Sequence, residues 1–412
     1  MTEVRFPGAA RLPLVHFLSQ NPPASYAREV EPVLKKNCFE CHNPKKAKGK
    51  LDMTTVDAFK KGGKSGPSFV PGAPEKSKIV EMISGAKPEM PNEGDPLKPA
   101  EVALIARWIK EGAKFDGISV YAAPPVISAL AYSPDGKLLA VSGYREILLH
   151  GAEGLVARLG GDSARIEALA FSADGKRLVA GGDDIQIWDV QTRAMIRSIS
   201  AAASGASISP DGSRVAYGFS DKTARVLQSA DGKELMKFEG TDAFGTAMMP
   251  DGARVATVGR DRKLRLIHIE SGKLIGDVEA PEPLLCIARH PSEDVVACGG
   301  ALGTPYVYRM TKADVSRPLV IERQPGAVRA IAFSPDGLTV AVGGLGPEAR
   351  IYSAKDGSRV ATLPDNGGAI FAMAFHPAEK QIAVGGADGQ VRIFDLSGKL
   401  VKAFIPVPIQ PK

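Results

Sequence analysis

The sequence predicts a two-part chain, a small all-α unit followed by an all-β unit of seven repeats. Three observations predict it. A Ser-Pro-Asp-Gly turn recurs through the C-terminal part. Short apolar strands flank every copy of that turn. Before about residue 116 this grammar is missing, and apolar residues recur at helical spacing instead.

The turn occurs as Ser133-Pro134-Asp135-Gly136, Ser172-Ala173-Asp174-Gly175, Ser209-Pro210-Asp211-Gly212 and Met249-Pro250-Asp251-Gly252. It decays to His290-Pro291-Ser292-Glu293, recovers at Ser334-Pro335-Asp336-Gly337 and ends as His376-Pro377-Ala378-Glu379. The steps between second residues are 39, 37, 40, 41, 44 and 42, which makes seven repeats. Within one unit the strands read Ala168–Phe171, Arg177–Ala180, Ile185–Asp189 and Met195–Ile199. Four short strands per repeat of this length is the signature of a propeller blade. Glycine pairs close the second strand at Gly181-Gly182, Gly299-Gly300, Gly343-Gly344 and Gly385-Gly386, where a crowded channel side is expected to exclude side chains. Residues 119–406 resemble the WD40-type propeller family. Trp188-Asp189 keeps the name-giving dipeptide, Phe394-Asp395 approximates it, and the Gly-His element is missing. The resemblance implies seven blades, and its degeneracy leaves the binding face undefined.

In the helical unit, Tyr26, Val30, Val33 and Leu34 share one face after Ser25 as N-cap, and Pro32 is expected to kink or shorten that helix. A second helix starts with Pro99 in its first turn, presents Val102, Ile105, Trp108 and Ile109, and stops near Gly112. Residues 62–95 read as loop, with a short helix around Ile79–Ile83. The expected divisions are an extension over 1–23, a helical domain over 24–116 and the propeller over 117–412, with a short linker at about 116–123.

Charge narrows the classes. Residues 1–116 hold 19 Lys/Arg against 14 Asp/Glu, and the rest of the chain nearly cancels. No stripe of basic residues interleaved with aromatics appears, so nucleic acid is not an expected partner. No apolar run approaches the roughly 18 residues of a membrane-spanning helix. The stretch Leu12–Leu18 is short and interrupted by Pro13 and His16, and it is not read as a signal peptide.

The chemistry concentrates in Cys38-Phe39-Glu40-Cys41-His42, directly after the first helix. Two thiols spaced by two residues suit addition to the two vinyl groups of one haem, and the adjacent His then reaches the iron. Zinc would call for a second Cys/His pair nearby, and none precedes Cys286. A dithiol redox site would sit in a βαβ pattern, which this region lacks. The sixth ligand is open among Met53, Met82 and Met90. Met82 falls on an apolar helix face and Met53 in a turn, where packing explains both. Met90 lies in a proline-flanked loop, Pro88 to Pro91, which favours it as the axial sulfur. Such attachment is completed outside the cytoplasm, so a periplasmic or otherwise extracytoplasmic protein is expected.

Residues 29–115 also resemble the planctomycete-type cytochrome c domain. The resemblance rests on Val33-Leu34, the Cys38–His42 motif, Lys48-Gly49-Lys50-Leu51-Asp52-Met53, Gly62-Gly63-Lys64-Ser65-Gly66-Pro67, Val70-Pro71-Gly72, Met90-Pro91 and Trp108–Ala113. It implies a small class I-like fold with first and last helices crossing beside the haem. It also implies one covalent haem c anchored by Cys38 and Cys41, with His42 proximal and Met90 distal. The implied function is electron transfer, with the propeller docking a redox partner protein. A haem-dependent oxidoreductase or peroxidase with an open iron site, or a haem-bearing sensor or scaffold, is the alternative.

Several smaller features complete the reading. Gly63-Lys64-Ser65 is no phosphate loop, because the earlier glycine is replaced by Ala58 and no strand precedes it. Lys45, Lys46, Lys48 and Lys50 either orient an acidic redox partner or form a solvated loop. His290 and His376 occupy equivalent turn positions and read as turn architecture. Cys286 and Cys298 lie symmetrically about Ser292, so a simple hairpin would set them opposite each other and permit a disulfide. Two buried, reduced thiols are the favoured state.

Overall fold

The computed structural model describes residues 24–409 except 55, 116–120, 122, 161–164, 201–202, 220, 311–314 and 408. The expected extension over 1–23 and most of the expected linker lie outside the described residues. The chain divides into two compact units, Met1–Phe115 and Asp116–Lys412.

In the first unit a single π-helical turn, Tyr26–Val30, runs into α1, Glu31–Asn37. The change of helix type falls where Pro32 enters the first turn of α1, which is the interruption expected of that proline. At the start of the turn the Glu29 carboxylate accepts the Ser25 N–H at 2.8 Å. The other helices are α2 (Val56–Lys61), α3 (Lys78–Ile83) and α4 (Pro99–Lys110). α2 lacks a sequence cue longer than one turn, and what fixes it is Phe59, fully buried in the core. α4 buries Ile105, Trp108 and Ile109, the face its spacing predicts. Trp108 is the centre of the core. Its ring lies 5.3 Å from Tyr26, 6.4 Å from Phe59, 5.3 Å from Phe69 and 5.1 Å from Phe115, and its indole N–H donates to the Lys114 carbonyl at 2.8 Å. The two ends of the unit are tied by the Ala24 N–H, which donates to Glu111 at 2.6 Å.

The second unit is a seven-bladed β-propeller. Each blade is a four-stranded antiparallel sheet of strands consecutive in sequence. The blades span residues 130–160, 166–200, 203–239, 243–279, 284–320, 328–363 and 370–404. First strands of successive blades pack side by side around the central channel. The second and third strands are buried on both faces, which is why they read as unbroken apolar runs. One apolar cluster fills each interface between adjacent blades. The last joins Ile127, Leu130 and Val141 of blade 1 to Ala372, Ala383 and Val407, and so closes the ring. A parallel bridge between Tyr121 and Ile409 reinforces that closure.

The recurring turn works through its side chains. In blade 1, Ser133 Oγ donates to Asp135 at 2.6 Å and accepts the Leu138 N–H at 2.9 Å, while Gly136 adopts φ +71°. The same Ser–Asp pair recurs at 172/174, 209/211 and 334/336. Where the motif decays, histidine takes over: His290 Nδ1 accepts the N–H groups of Ser292 and Glu293, and His376 Nδ1 those of Ala378 and Glu379. These two histidines are turn architecture.

One expectation is refined and one corrected. The glycine pairs are crowded by the first strands that line the channel, a Cβ on Gly181 meeting Ala206 at 2.6 Å and one on Gly299 the Cys286 sulfur at 2.5 Å. A Cβ on Gly385 would meet Ile127 of the neighbouring blade at 2.7 Å, and one on Gly386 would meet the Ala369 carbonyl of its own blade at 2.0 Å. Cys286 and Cys298 are not opposite each other. The hairpin closes on His290 and Val295, whose N–H to carbonyl bond is 2.8 Å, rather than symmetrically about Ser292, which sets Ile287 opposite Cys298 and Cys286 opposite Gly299, so the two thiols point to opposite faces of the sheet. Cys298 packs with blade 4, Cys286 with blade 6, and both are free.

Candidate functional site

The segment after α1 is a chain of turns that gathers the chemical residues. Leu34, fully buried, accepts the N–H of Cys38 at 2.7 Å and of Phe39 at 3.1 Å, so the helix passes directly into the motif. The Cys38 carbonyl then accepts the N–H of Cys41 at 3.2 Å and of His42 at 3.0 Å. This one turn brings Cys38, Cys41 and His42 together, all half-buried.

Asn43 locks the turn from the other side. Its amide donates to the carbonyls of Phe39 and Glu40 at 2.8 and 2.9 Å, and its oxygen accepts the N–H groups of Lys45 and Lys46 at 3.0 Å each. Sequence reasoning missed Asn43, although an Asn heading a lysine-rich loop is a recognisable turn signal.

His42 is oriented by the backbone. Its Nδ1 lies 3.0 Å from the Lys48 carbonyl. A carbonyl only accepts, so Nδ1 carries a proton, and in the neutral ring Nε2 is the nitrogen with the lone pair. That is how a metal-binding imidazole is normally fixed by its surroundings. The His42 carbonyl in turn accepts the Met53 N–H at 2.9 Å, and Met53 is buried.

Burial, followed by the neighbouring Cys41, pushes the Cys38 thiol up to about 11. A dithiol nucleophile needs the opposite shift, so the pair is ill suited to thiol–disulfide exchange. Among the described residues no group of three or more His, Cys, Asp or Glu side chains comes together to hold a metal ion.

The three methionines sit differently. Met90 and Met82 are neighbours, because the Met90 N–H donates to the Met82 carbonyl at 2.9 Å. Both are half-buried. Met90's loop reaches the His42 loop through Glu93, whose carboxylate lies 3.1 Å from Lys48 Nζ. The same Lys48 thus supplies the carbonyl that holds His42 and the cation that holds the Met90 loop.

The glycine-rich stretch has a structural role. The Lys64 N–H donates to the Gly49 carbonyl at 2.7 Å, and a Cβ on Gly63 would meet that carbonyl at 2.7 Å. Close approach to the loop behind His42, rather than phosphate binding, requires these glycines.

Residues 38–94 match the family model for planctomycete cytochrome C. Residues 154–189 and 357–395 match the model for the WD domain, G-beta repeat. The chain carries a planctomycete cytochrome C-type domain followed by a WD40 propeller. The first match implies a haem cofactor, and the second implies protein–protein interaction. The residues at the site fit such a group: two cysteines on one turn, an imidazole with a free Nε2, and methionine sulfur in the same small unit.

Proposed function

We propose that this protein is an electron-transfer c-type cytochrome whose propeller docks its redox partner. Cys38 and Cys41 anchor one haem c, His42 is its proximal ligand and Met90 its distal one. The haem, when bound, supplies one-electron chemistry. The observation that carries this reading is the His42–Lys48 hydrogen bond, which reserves Nε2 for a ligand on the turn that bears both cysteines.

The surrounding residues have separate tasks. Asn43 and the Cys38 carbonyl hold the turn that carries both thiols and the imidazole. Glu93 and Lys48 tether the Met90 loop to that turn. Around the site, Lys46 pairs with Glu40 and Lys48 with Glu93, whereas Lys45 and Lys50 have no carboxylate partner among the described residues. Those two are the cations left to orient an acidic partner, by steering rather than by affinity. The domains are read as 24–116 and 117–412. Attachment chemistry of this type assigns the protein to an extracytoplasmic compartment.

The test is haem retention after denaturation. Protein made with a cytochrome c maturation system should keep haem-dependent peroxidase staining on a denaturing gel. The Cys38→Ser/Cys41→Ser double variant should lose it. Wild-type protein that releases all its haem on denaturation overturns the reading.

A further inference from the structure

The central channel of the propeller opens at the end where the first strands begin. There it widens into a cavity of about 470 Å³ lined by all seven blades. At its mouth stands Phe244 of blade 4. The Arg260 guanidinium lies 4.9 Å from the centre of that ring, and the Arg329 guanidinium, from blade 6, lies 5.9 Å from it. Arg329 therefore leans past the intervening blade toward the mouth.

Neither arginine has an ion-pair partner among the described residues, although this propeller pairs many of its others: Arg225 with Asp221, Arg254 with Asp294, Arg262 with Glu279, Arg265 with Asp261 and Arg392 with Asp388. Glu167 also lines the cavity, but from blade 2, where it pairs with Arg165 at 3.6 Å, and Arg165 also pairs with Asp183 at 3.5 Å. Two like charges on one aromatic ring repel each other, and cation–π attraction offsets only part of that. A carboxylate seated between them would relieve it, and a guanidinium is the side chain best shaped to hold one.

At the same end, exposed leucines stand among charged groups: the buried Glu282 carboxylate accepts the Leu302 N–H, and the Arg323 guanidinium donates to the Leu302 carbonyl at 2.8 Å. Leu302 and Leu345, in the loops between second and third strands of blades 5 and 6, are 60% and 57% exposed. Leu345 is placed beside the entry to Arg329's strand, its N–H donating to the Ala327 carbonyl at 3.2 Å. Phe371 lines the same cavity. A small anion would use the arginines and leave these leucines in water. A chain segment that places a carboxylate over Phe244 and runs across blades 5 and 6 would cover them.

We propose that this mouth is the docking site for an extended acidic segment of a partner protein, its carboxylate held by Arg260 and Arg329 and its adjoining apolar side chain laid on Leu302 and Leu345. The proposal rests on the propeller's docking role and is independent of the haem.

The experiment uses the full chain and fluorescein-labelled twelve-residue peptides of alternating Glu-Leu, Gln-Leu and Glu-Ser, read by fluorescence anisotropy. Glu-Leu should bind at least tenfold more tightly than either other peptide. Arg260→Gln/Arg329→Gln should weaken it at least tenfold, while Lys45→Gln/Lys50→Gln should leave it unchanged. Arg260→Glu/Arg329→Glu should gain binding of a Lys-Leu peptide, which a misfolded variant would not do. Haem-free and haem-loaded protein should behave alike. The proposal is overturned if Glu-Leu does not bind or if Gln-Leu or Glu-Ser binds equally well. It is also overturned if the lysine variant, rather than the arginine one, abolishes binding, or if the charge-reversed protein fails to take Lys-Leu.

Discussion

Replacing Trp108 by Ala should strongly destabilise the N-terminal unit and leave the propeller intact. Trp108 is 1% exposed and contacts four other aromatic rings. Truncating a buried Trp to Ala costs about 3–5 kcal/mol through lost burial and the cavity left behind. Loss of the indole N–H leaves the Lys114 carbonyl without its donor, which adds about 1 kcal/mol. Residues 24–115 are expected to be worth on the order of 5–14 kcal/mol at 0.05–0.15 kcal/mol per residue. The variant therefore removes upwards of about 30% of the unit's stability, and most or all of it at the lower end of that range. Trp188 is the chain's other tryptophan and lies fully buried in blade 2. In Trp108→Ala it becomes the sole reporter, and it should report an unchanged propeller transition in urea. Helical circular dichroism should meanwhile be lost at much lower denaturant than in wild type. Trp108→Phe, which keeps an aromatic ring, should cost only about 1–2 kcal/mol. A Trp108→Ala variant whose helical transition moves by less than about 1 kcal/mol would refute the assignment of that ring as the core of the unit.

Three further expectations concern the propeller and the thiols. Glu146 is buried with one carboxylate oxygen unpartnered, and burial holds its carboxyl above the ordinary 4.5 despite Arg158 and Tyr121. Its folded value is raised, so its stabilisation is complete below 4.5 and is lost as pH rises through the folded value. The stability of wild type relative to Glu146→Gln should therefore fall as pH rises above the ordinary 4.5, and a pH-independent difference in melting temperature would contradict this. Gly337→Ala should destabilise more than Gly272→Ala. Both residues have positive φ, which costs about 1–2 kcal/mol with a Cβ, but only at Gly337 does the Cβ fall on the His290 ring; equal losses in urea would contradict the contact. Alkylation of unreduced, denatured, haem-loaded protein should find two thiols, Cys286 and Cys298. Four would deny thioether attachment and none would deny that the pair is free.

The propeller was legible because its turn repeats locally: Ser, Asp and Gly within four residues make a self-contained hydrogen-bonded unit that any copy displays. Even the decayed copies remained readable, since His Nδ1 replaces the acceptor of Ser and Asp. What stayed hidden depends on distant partners. The relative facing of Cys286 and Cys298 turns on the hairpin closing at His290 and Val295, one residue off symmetry about Ser292. The Asp–Arg pairs at 221/225, 261/265 and 388/392 recur four residues apart across the loop before the third strand, yet their role appears only when the strands are folded. The Phe244–Arg329 approach joins residues two blades apart. In the helical unit, Cys38, Cys41 and His42 announce themselves as a contiguous motif. Asn43 and the Lys48 carbonyl act through backbone groups, for which residue identity gives little warning.

Ligation of the haem by His42 and Met90 is proposed above. Absorption spectra of oxidised and reduced protein, made with the maturation machinery alongside Met90→Ala, test it most directly. A low-spin haem whose sulfur-to-iron band disappears in Met90→Ala is expected. A high-spin spectrum unchanged by the substitution would contradict it, leaving the iron open and the peroxidase or sensor reading in its place.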